Sequence, residues 1–156
     1  MDLEKLTAHL KSFAQGRTDI VAIYLFGSQA QGYARRDSDV DLAVLARPEG
    51  QDFFDLELKL NTQMNRLERE HEIEALVLNR APTAWQFEVV STGRLLVSKD
   101  ENFRTDWEVG MLNRYYDVRP LHKAYDRAYL QRFKESFTDA QHREYERTLE
   151  ALARAH

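Results

Sequence analysis

Ile20-Val21-Ala22-Ile23-Tyr24-Leu25-Phe26-Gly27-Ser28 and, after a polar loop, Asp39-Val40-Asp41-Leu42-Ala43-Val44-Leu45 are the two runs on which the reading of this chain turns. The first is short, apolar and partly β-branched, the pattern of a buried strand, and Gly27-Ser28 ends it abruptly. The second is apolar from Val40 to Leu45, is interrupted at its start by two aspartates, and is closed by Pro48-Glu49-Gly50. Alternate residues of a strand share a face, so the carboxylates of Asp39 and Asp41 point the same way, about 6–7 Å apart along the chain. Two like charges on a packed strand repel and are costly to desolvate. A hard divalent cation removes that cost, and Mg²⁺ favours carboxylate oxygens together with substrate phosphates.

The loop between the runs supplies the complementary chemistry. A glycine directly after a buried strand permits a tight turn and a close backbone approach to a ligand. Backbone N–H groups at Gly27 and Ser28, with the Ser28 hydroxyl, suit phosphate oxygens. Arg35 and Arg36 lie in the same loop and are placed to meet a triphosphate. Phosphate donors on one side and metal ligands on the other are what phosphoryl or nucleotidyl transfer requires. A third acid would complete a two-metal site. Glu74 stands between Ile73 and Ala75 in the apolar run from Glu72 to Leu78, and Glu72 shares its face, so the choice between the two stays open. That acid would hold the metal that activates an attacking hydroxyl and would accept its proton. Asp-x-Asp alone is usually a solvated turn, and Gly-Ser alone is a common one. Their conjunction in a strand–loop–strand frame is the discriminating observation.

Around this centre the pattern is α/β. Leu3, Leu6, Leu10 and Phe13 recur at helical spacing and Gly16 follows as a stop. Phe53, Leu56, Leu60, Met64 and Leu67 mark a second helix face. Glu72 to Leu78 reads as a third strand, Pro82 opens a short helix that Gly93 ends, and Leu95-Leu96-Val97 is a fourth strand. From Asn102 the pattern is helical, divided at Pro120, with Trp107, Met111 and Tyr115 on one stripe and Leu121, Tyr125 and Ala128 on another. The charged segment Asp139 to His156 reads as a peripheral or frayed helix. The expectation is an α/β (α+β) domain with a small mixed β-sheet flanked by helices. Its catalytic core would span residues 1–100, with a helical C-terminal extension, 101–156, packed on it.

Composition narrows the function classes. The chain has 156 residues, suited to one domain, with 43% apolar and 31% charged residues and a formal net charge of −4. That balance argues against broad nucleic-acid binding, which needs many phosphate-neutralising cations. No cysteine is present, so disulfides and thiolate metal sites are excluded. The N-terminus lacks a signal-like apolar run and no stretch is long enough to span a bilayer, so a cytoplasmic protein without membrane contact is expected. The five histidines are scattered without metal-ligand spacing, and no Walker A loop or GxGxxG occurs.

Ser28 and Asp39 are separated by ten residues, and Gly-Ser, that spacing, then Asp-x-Asp resembles the nucleotidyltransferase superfamily related to DNA polymerase beta. Ile73-Glu74-Ala75 is similar to that superfamily's third-acid strand. Within it, the chain looks like the minimal nucleotidyltransferases of prokaryotes, and more narrowly like the MntA-type antitoxins paired with HEPN-domain toxins. The resemblance covers about residues 1–135. It includes Leu78-Asn79-Arg80-Ala81-Pro82, Gly93-Arg94-Leu95-Leu96 and Tyr115-Tyr116-Asp117-Val118-Arg119-Pro120-Leu121, which are less specific than the catalytic motif. The resemblance implies a nucleotidyltransferase fold and Mg²⁺-dependent transfer of AMP from ATP to a tyrosine of a HEPN toxin. Two departures stand out: Gln31 where many relatives carry arginine, and Glu74 where aspartate is common. The alternatives are an antibiotic-type enzyme acting on a small molecule, disfavoured by the little chain left for a second substrate domain, and a non-catalytic antitoxin acting by contact alone, disfavoured by the full acid set.

Overall fold

Both runs are strands in the computed structural model, which describes residues 2–32, 38–50, 52–67 and 71–135, the side chains of 121–135 excepted. β1 (Ile20–Leu25) and β2 (Val40–Ala46) pair antiparallel, with Leu25 opposite Leu42 and Tyr24 opposite Ala43. β2 pairs in parallel with β3 (Ile73–Val77), and β1 pairs antiparallel with β4 (Arg94–Ser98). The sheet is therefore mixed, in the order β3-β2-β1-β4, with β1 and β2 central and β3 and β4 at the edges. The position in the sheet follows from side-chain character: every residue of β1 is buried, whereas Glu74 on β3 and Leu95 on β4 are exposed.

One sheet face is closed by α1 (Leu3–Gln15) and α3 (Phe53–Met64). Each helix starts on an aspartate cap, Asp2 accepting from the Lys5 N–H and Asp52 from the Phe54 and Asp55 N–H groups. Each buries residues four apart: Leu6, Leu10 and Ala14 on α1, Leu56, Leu60 and Met64 on α3. They pack with Ile23, Leu25, Leu42, Val44, Ile73, Ala75 and Val77 into the main core. The other face carries Tyr24, Ala43 and Leu45, covered by Val89 and Val90 of α4 (Thr83–Thr92) and by Phe103 and Trp107 of α5 (Glu101–Glu135). The Tyr24 hydroxyl donates to Glu108 at 2.5 Å, and Arg104 donates to the same carboxylate oxygen at 2.6 Å, so a small polar network ties α5 to this face. Gly93 lets α4 turn into β4: a Cβ there would lie 2.3 Å from the Val89 carbonyl oxygen and 2.9 Å from that of Leu25.

Two readings of the sequence change. Residues Gly27–Gln31, expected as loop, form a short helix, α2. Pro120 was expected to divide the C-terminal helices, yet α5 runs unbroken through it. A proline removes one bond of the ladder, and a long helix can carry that loss. Met111 is buried and Tyr115 stacks on Phe87 with ring centroids 3.9 Å apart, so the first aromatic stripe packs as core. The side chains of Leu121, Tyr125 and Ala128 and the segment Asp139 to His156 lie outside the described residues. The chain divides into two compact units, Met1–Tyr115 and Tyr116–His156, and all the residues of the candidate site belong to the first. No helix among the described residues is long and apolar enough to cross a membrane.

Candidate active site

The site grows out of one break in the alternation of β2. Leu42, Val44 and Ala46 point into the main core, while Ala43 and Leu45 serve the second face. Asp41 and Asp39 continue that second series, so both carboxylates stand at the end of the second face, beyond its apolar cover. Asp39 is exposed and Asp41 half-buried. The Asp41 carbonyl accepts from the Phe26 N–H at 3.0 Å, which fixes the end of β1 against the start of β2.

Gly27 follows immediately, with φ +66°, in the left-handed region that disfavours side chains. A Cβ at Gly27 would lie 2.2 Å from Asp41 Oδ2. The glycine is thus needed twice, for its backbone conformation and for the space its missing side chain leaves to the carboxylate. Ser28 is half-buried in α2 beside it. Gln29 Nε2 donates to the Ser38 carbonyl at 3.2 Å, tying α2 to the residue before Asp39.

The parallel register places Glu74 opposite Asp41. Glu72 lies one step earlier, where its carbonyl accepts the Val40 N–H at 2.8 Å. Asp41 holds its proton more tightly than an ordinary aspartate: burial raises its pKa, and the neighbouring charges of Glu74 and then Asp39 raise it further. Asp39, Glu72 and Glu74 also line a cleft of about 370 Å³ with Asn61, Asn65 and Ile73. A larger cavity of about 530 Å³, lined by α1 residues and Arg94, contains none of the candidate catalytic, metal-binding or nucleotide-binding residues.

Asp39, Asp41, Glu74, Gly27 and Ser28 are thus brought to one end of the sheet, whereas Arg35 and Arg36 lie outside the described residues. The donor set suits Mg²⁺: oxygen ligands only, with mutual repulsion that a cation relieves. Among the described residues no three acids or histidines converge closely enough to enclose an ion by themselves. Mg²⁺ is commonly held by one or two carboxylates with the remaining positions filled by water and substrate phosphate, so the open arrangement fits. Gln29, Asn61 and Asn65 were not read from sequence as belonging here. The available signal was two asparagines four residues apart, Asn61 inside α3, where asparagine is a poor helix former, and Asn65 at its C-terminal cap.

The family model for polymerase beta, nucleotidyltransferase, matches residues 8–102, well over half of the chain. This chain belongs to that family. It is a nucleotidyltransferase by its fold and by the match that spans β1 to β4. No curated protein matches. Among solved structures, a chain of a toxin–antitoxin crystal structure with AMP-PNP is 24% identical, with a TM-score of 0.61 over 83% of this chain and 99% of that one. A chain of the tri-AMPylated Shewanella oneidensis HEPN toxin in complex with MNT antitoxin is 20% identical, with a TM-score of 0.63 over the same shares. A chain of a toxin–antitoxin MntA-HepT crystal structure is also 20% identical, with a TM-score of 0.61 over 81% of this chain and 97% of that one. At these identities the likeness is one of fold.

Proposed function

We propose that this nucleotidyltransferase transfers AMP from ATP, with Mg²⁺, to a tyrosine hydroxyl of a HEPN-type toxin and so acts as its antitoxin. The observation that carries the chemistry is the register that sets Glu74 across from Asp41, with Gly27 opened against the Asp41 carboxylate. The choice of acceptor is supported by the similar fold of chains from structures described as a tri-AMPylated HEPN toxin with MNT antitoxin and as a toxin–antitoxin with AMP-PNP.

In this reading Asp39, Asp41 and Glu74 would hold the Mg²⁺ ions, with substrate phosphate and water filling the remaining positions. When bound, the ions neutralise charge on the phosphates and lower the pKa of the attacking hydroxyl. The backbone of Gly27-Ser28 and the Ser28 hydroxyl bind phosphate oxygens, and Arg35 and Arg36 bind the triphosphate from the loop. Glu74 takes the acceptor proton. The acceptor oxygen forms a bond to the α-phosphorus, the bond from that phosphorus to the bridging oxygen of the β-phosphate breaks, and pyrophosphate leaves.

The test is to incubate the protein with ATP, Mg²⁺ and the product of the adjacent gene, then weigh that product intact. A gain of one or more AMP masses, absent with the Asp39→Ala, Asp41→Ala variant, is expected. A stable complex without mass gain would replace this reading with neutralisation by contact. Neither complex nor gain would redirect the search to small hydroxyl-bearing acceptors.

A further inference from the structure

Glu74 sits on an edge strand, and an edge strand offers a row of backbone groups without a strand partner. In β3 those groups belong to Ile73, Ala75 and Val77, because Glu72 and Glu74 turn theirs toward β2. Side chains of α3 take the place of the missing strand. Asn65 Oδ1 accepts the Ile73 N–H at 2.8 Å, and its Nδ2 donates to the Ile73 carbonyl at 2.6 Å. Asn61 does the same for Ala75, at 2.8 and 2.6 Å. Glu57 Oε2 accepts the Val77 N–H at 2.8 Å, while its other oxygen accepts from Arg80.

The ladder closes because two repeats nearly match. Four residues of α-helix rise about 6 Å, and two residues of parallel strand advance about 6.6 Å. Residues 57, 61 and 65 therefore keep step with 77, 75 and 73. A primary amide is suited to the task, since it offers one acceptor and two donors and meets both groups of a peptide pair. The two amide rungs flank Glu74, and the carboxylate rung lies further from it.

We propose that Asn61 and Asn65 are positioning residues for Glu74: they clamp the residues on either side of it, fix the rotation of β3 about its own axis, and so aim the Glu74 carboxylate toward Asp41. Apolar burial of Ile73 and Ala75 holds the strand against the core but leaves its twist soft, and a rotation of the strand swings an exposed side chain most. Asn61 and Asn65 also share the 370 Å³ cleft with Asp39 and Glu74, so their displacement is felt directly at the acids. This inference rests on the reading of Glu74 as the third acid.

The experiment compares wild type with Asn61→Ala, Asn65→Ala, Glu57→Ala and Glu74→Gln, and with each asparagine change in the Glu74→Gln background. Two readouts are taken: the steady-state rate of AMP transfer, and the rise in Tm on adding Mn²⁺ with a non-hydrolysable ATP analogue. Each asparagine change is expected to lower kcat roughly tenfold or more, as misplacement of a reacting group does, with KM for ATP within about twofold. Each should also cut the Mn²⁺-induced rise toward that of Glu74→Gln. In the Glu74→Gln background the same changes should alter the residual rate by less than about twofold, since coupled residues are non-additive. Glu57→Ala should lower Tm without these effects. Asn61→Asp and Asn65→Asp, which keep volume and the N–H acceptor, replace any alanine variant that does not fold, and an intermediate loss is expected of them. An unchanged kcat, an equal loss in the Glu74→Gln background, or the same loss in Glu57→Ala would overturn the proposal. A wild type with neither transfer nor a Mn²⁺ response would instead overturn the functional reading beneath it. With a Mn²⁺ response but no transfer to the chosen acceptor, the Tm readout alone decides the positioning role.

Discussion

The two faces of the sheet are built from the same strands and put to opposite uses. On the α1–α3 face, β2 contributes Val40, Leu42, Val44 and Ala46, all fully buried, and the helices answer with leucines and a methionine. On the other face β2 contributes Leu45 and Ala43 and then, near its start, Asp41, with Asp39 just before the strand. The first face is a core with its alternation intact. The second is a core for half its length and gives way to acids where α4 and α5 no longer cover it. The lesson is that the site costs the fold little: polar groups are confined to the strand end where solvent and substrate can reach them, and stability is left to the opposite face.

The sharpest way to break that comparison is to remove one face's function and then the other's. Asp39→Asn with Asp41→Asn should reduce nucleotidyl transfer on the order of a thousandfold or more, as loss of metal ligands and charge stabilisation does. Tm without divalent cation should hold or rise. Labelled-ATP transfer and thermal melts check both halves, and a large fall in Tm would mean that the acids are structural. Leu60→Ala should do the reverse. Leu60 is fully buried between α3 and the sheet, and its truncation should cost about 2–5 kcal/mol of stability. Activity per folded molecule should stay near wild type, as read by urea unfolding and by the rate at low temperature.

Gly27→Ala tests the junction of the two uses. The added Cβ meets Asp41 Oδ2, and the backbone stays at positive φ. The strain should cost about 1–3 kcal/mol of stability, and the displaced carboxylate should lower transfer by about a hundredfold. Wild-type rate with an unshifted melt would refute the close packing of Gly27 on Asp41.

Much of this division was legible in the sequence. The runs from Ile20 and Val40 announced themselves by length and β-branching, and Asp39 and Asp41 by interrupting one of them. The four strands stand where the short apolar runs put them, and the helices at Leu3 and Phe53 where periodicity did. What escaped was set by contacts distant in sequence. Glu72 and Glu74 share a face, and only the β2–β3 register sets one of them opposite Asp41. The short helix at Gly27 has too few apolar residues to show a period. The helix across Pro120 defies a local rule that a long helix can override. Asn61 and Asn65 look like surface residues in sequence, because the edge they cover exists only once β3 is in place.

The smallest expected effect is a pH dependence confined to the acid end. Burial, then Glu74, then Asp39 raise the pKa of Asp41 above its ordinary value. The folded state therefore binds that proton more tightly than the unfolded chain does. The stability this contributes is complete below the unfolded pKa and is lost as pH rises through the raised folded one. Asp19, whose pKa the Arg17 hydrogen bond lowers, acts with the opposite sign, gaining stability above its unfolded pKa, so the total curve mixes the two. The difference between wild type and Asp41→Asn isolates the acid end. In metal-free buffer wild type should lose Tm relative to Asp41→Asn as pH rises from about 3 to about 7. Added Mg²⁺ should restore wild type at the upper end and leave the variant almost unmoved, because the cation takes up the repulsion that the proton relieved. A wild-type curve parallel to that of the variant, with or without Mg²⁺, would mean that Asp41 is solvated like any surface aspartate, and the contrast between the two faces would shrink to one of packing alone.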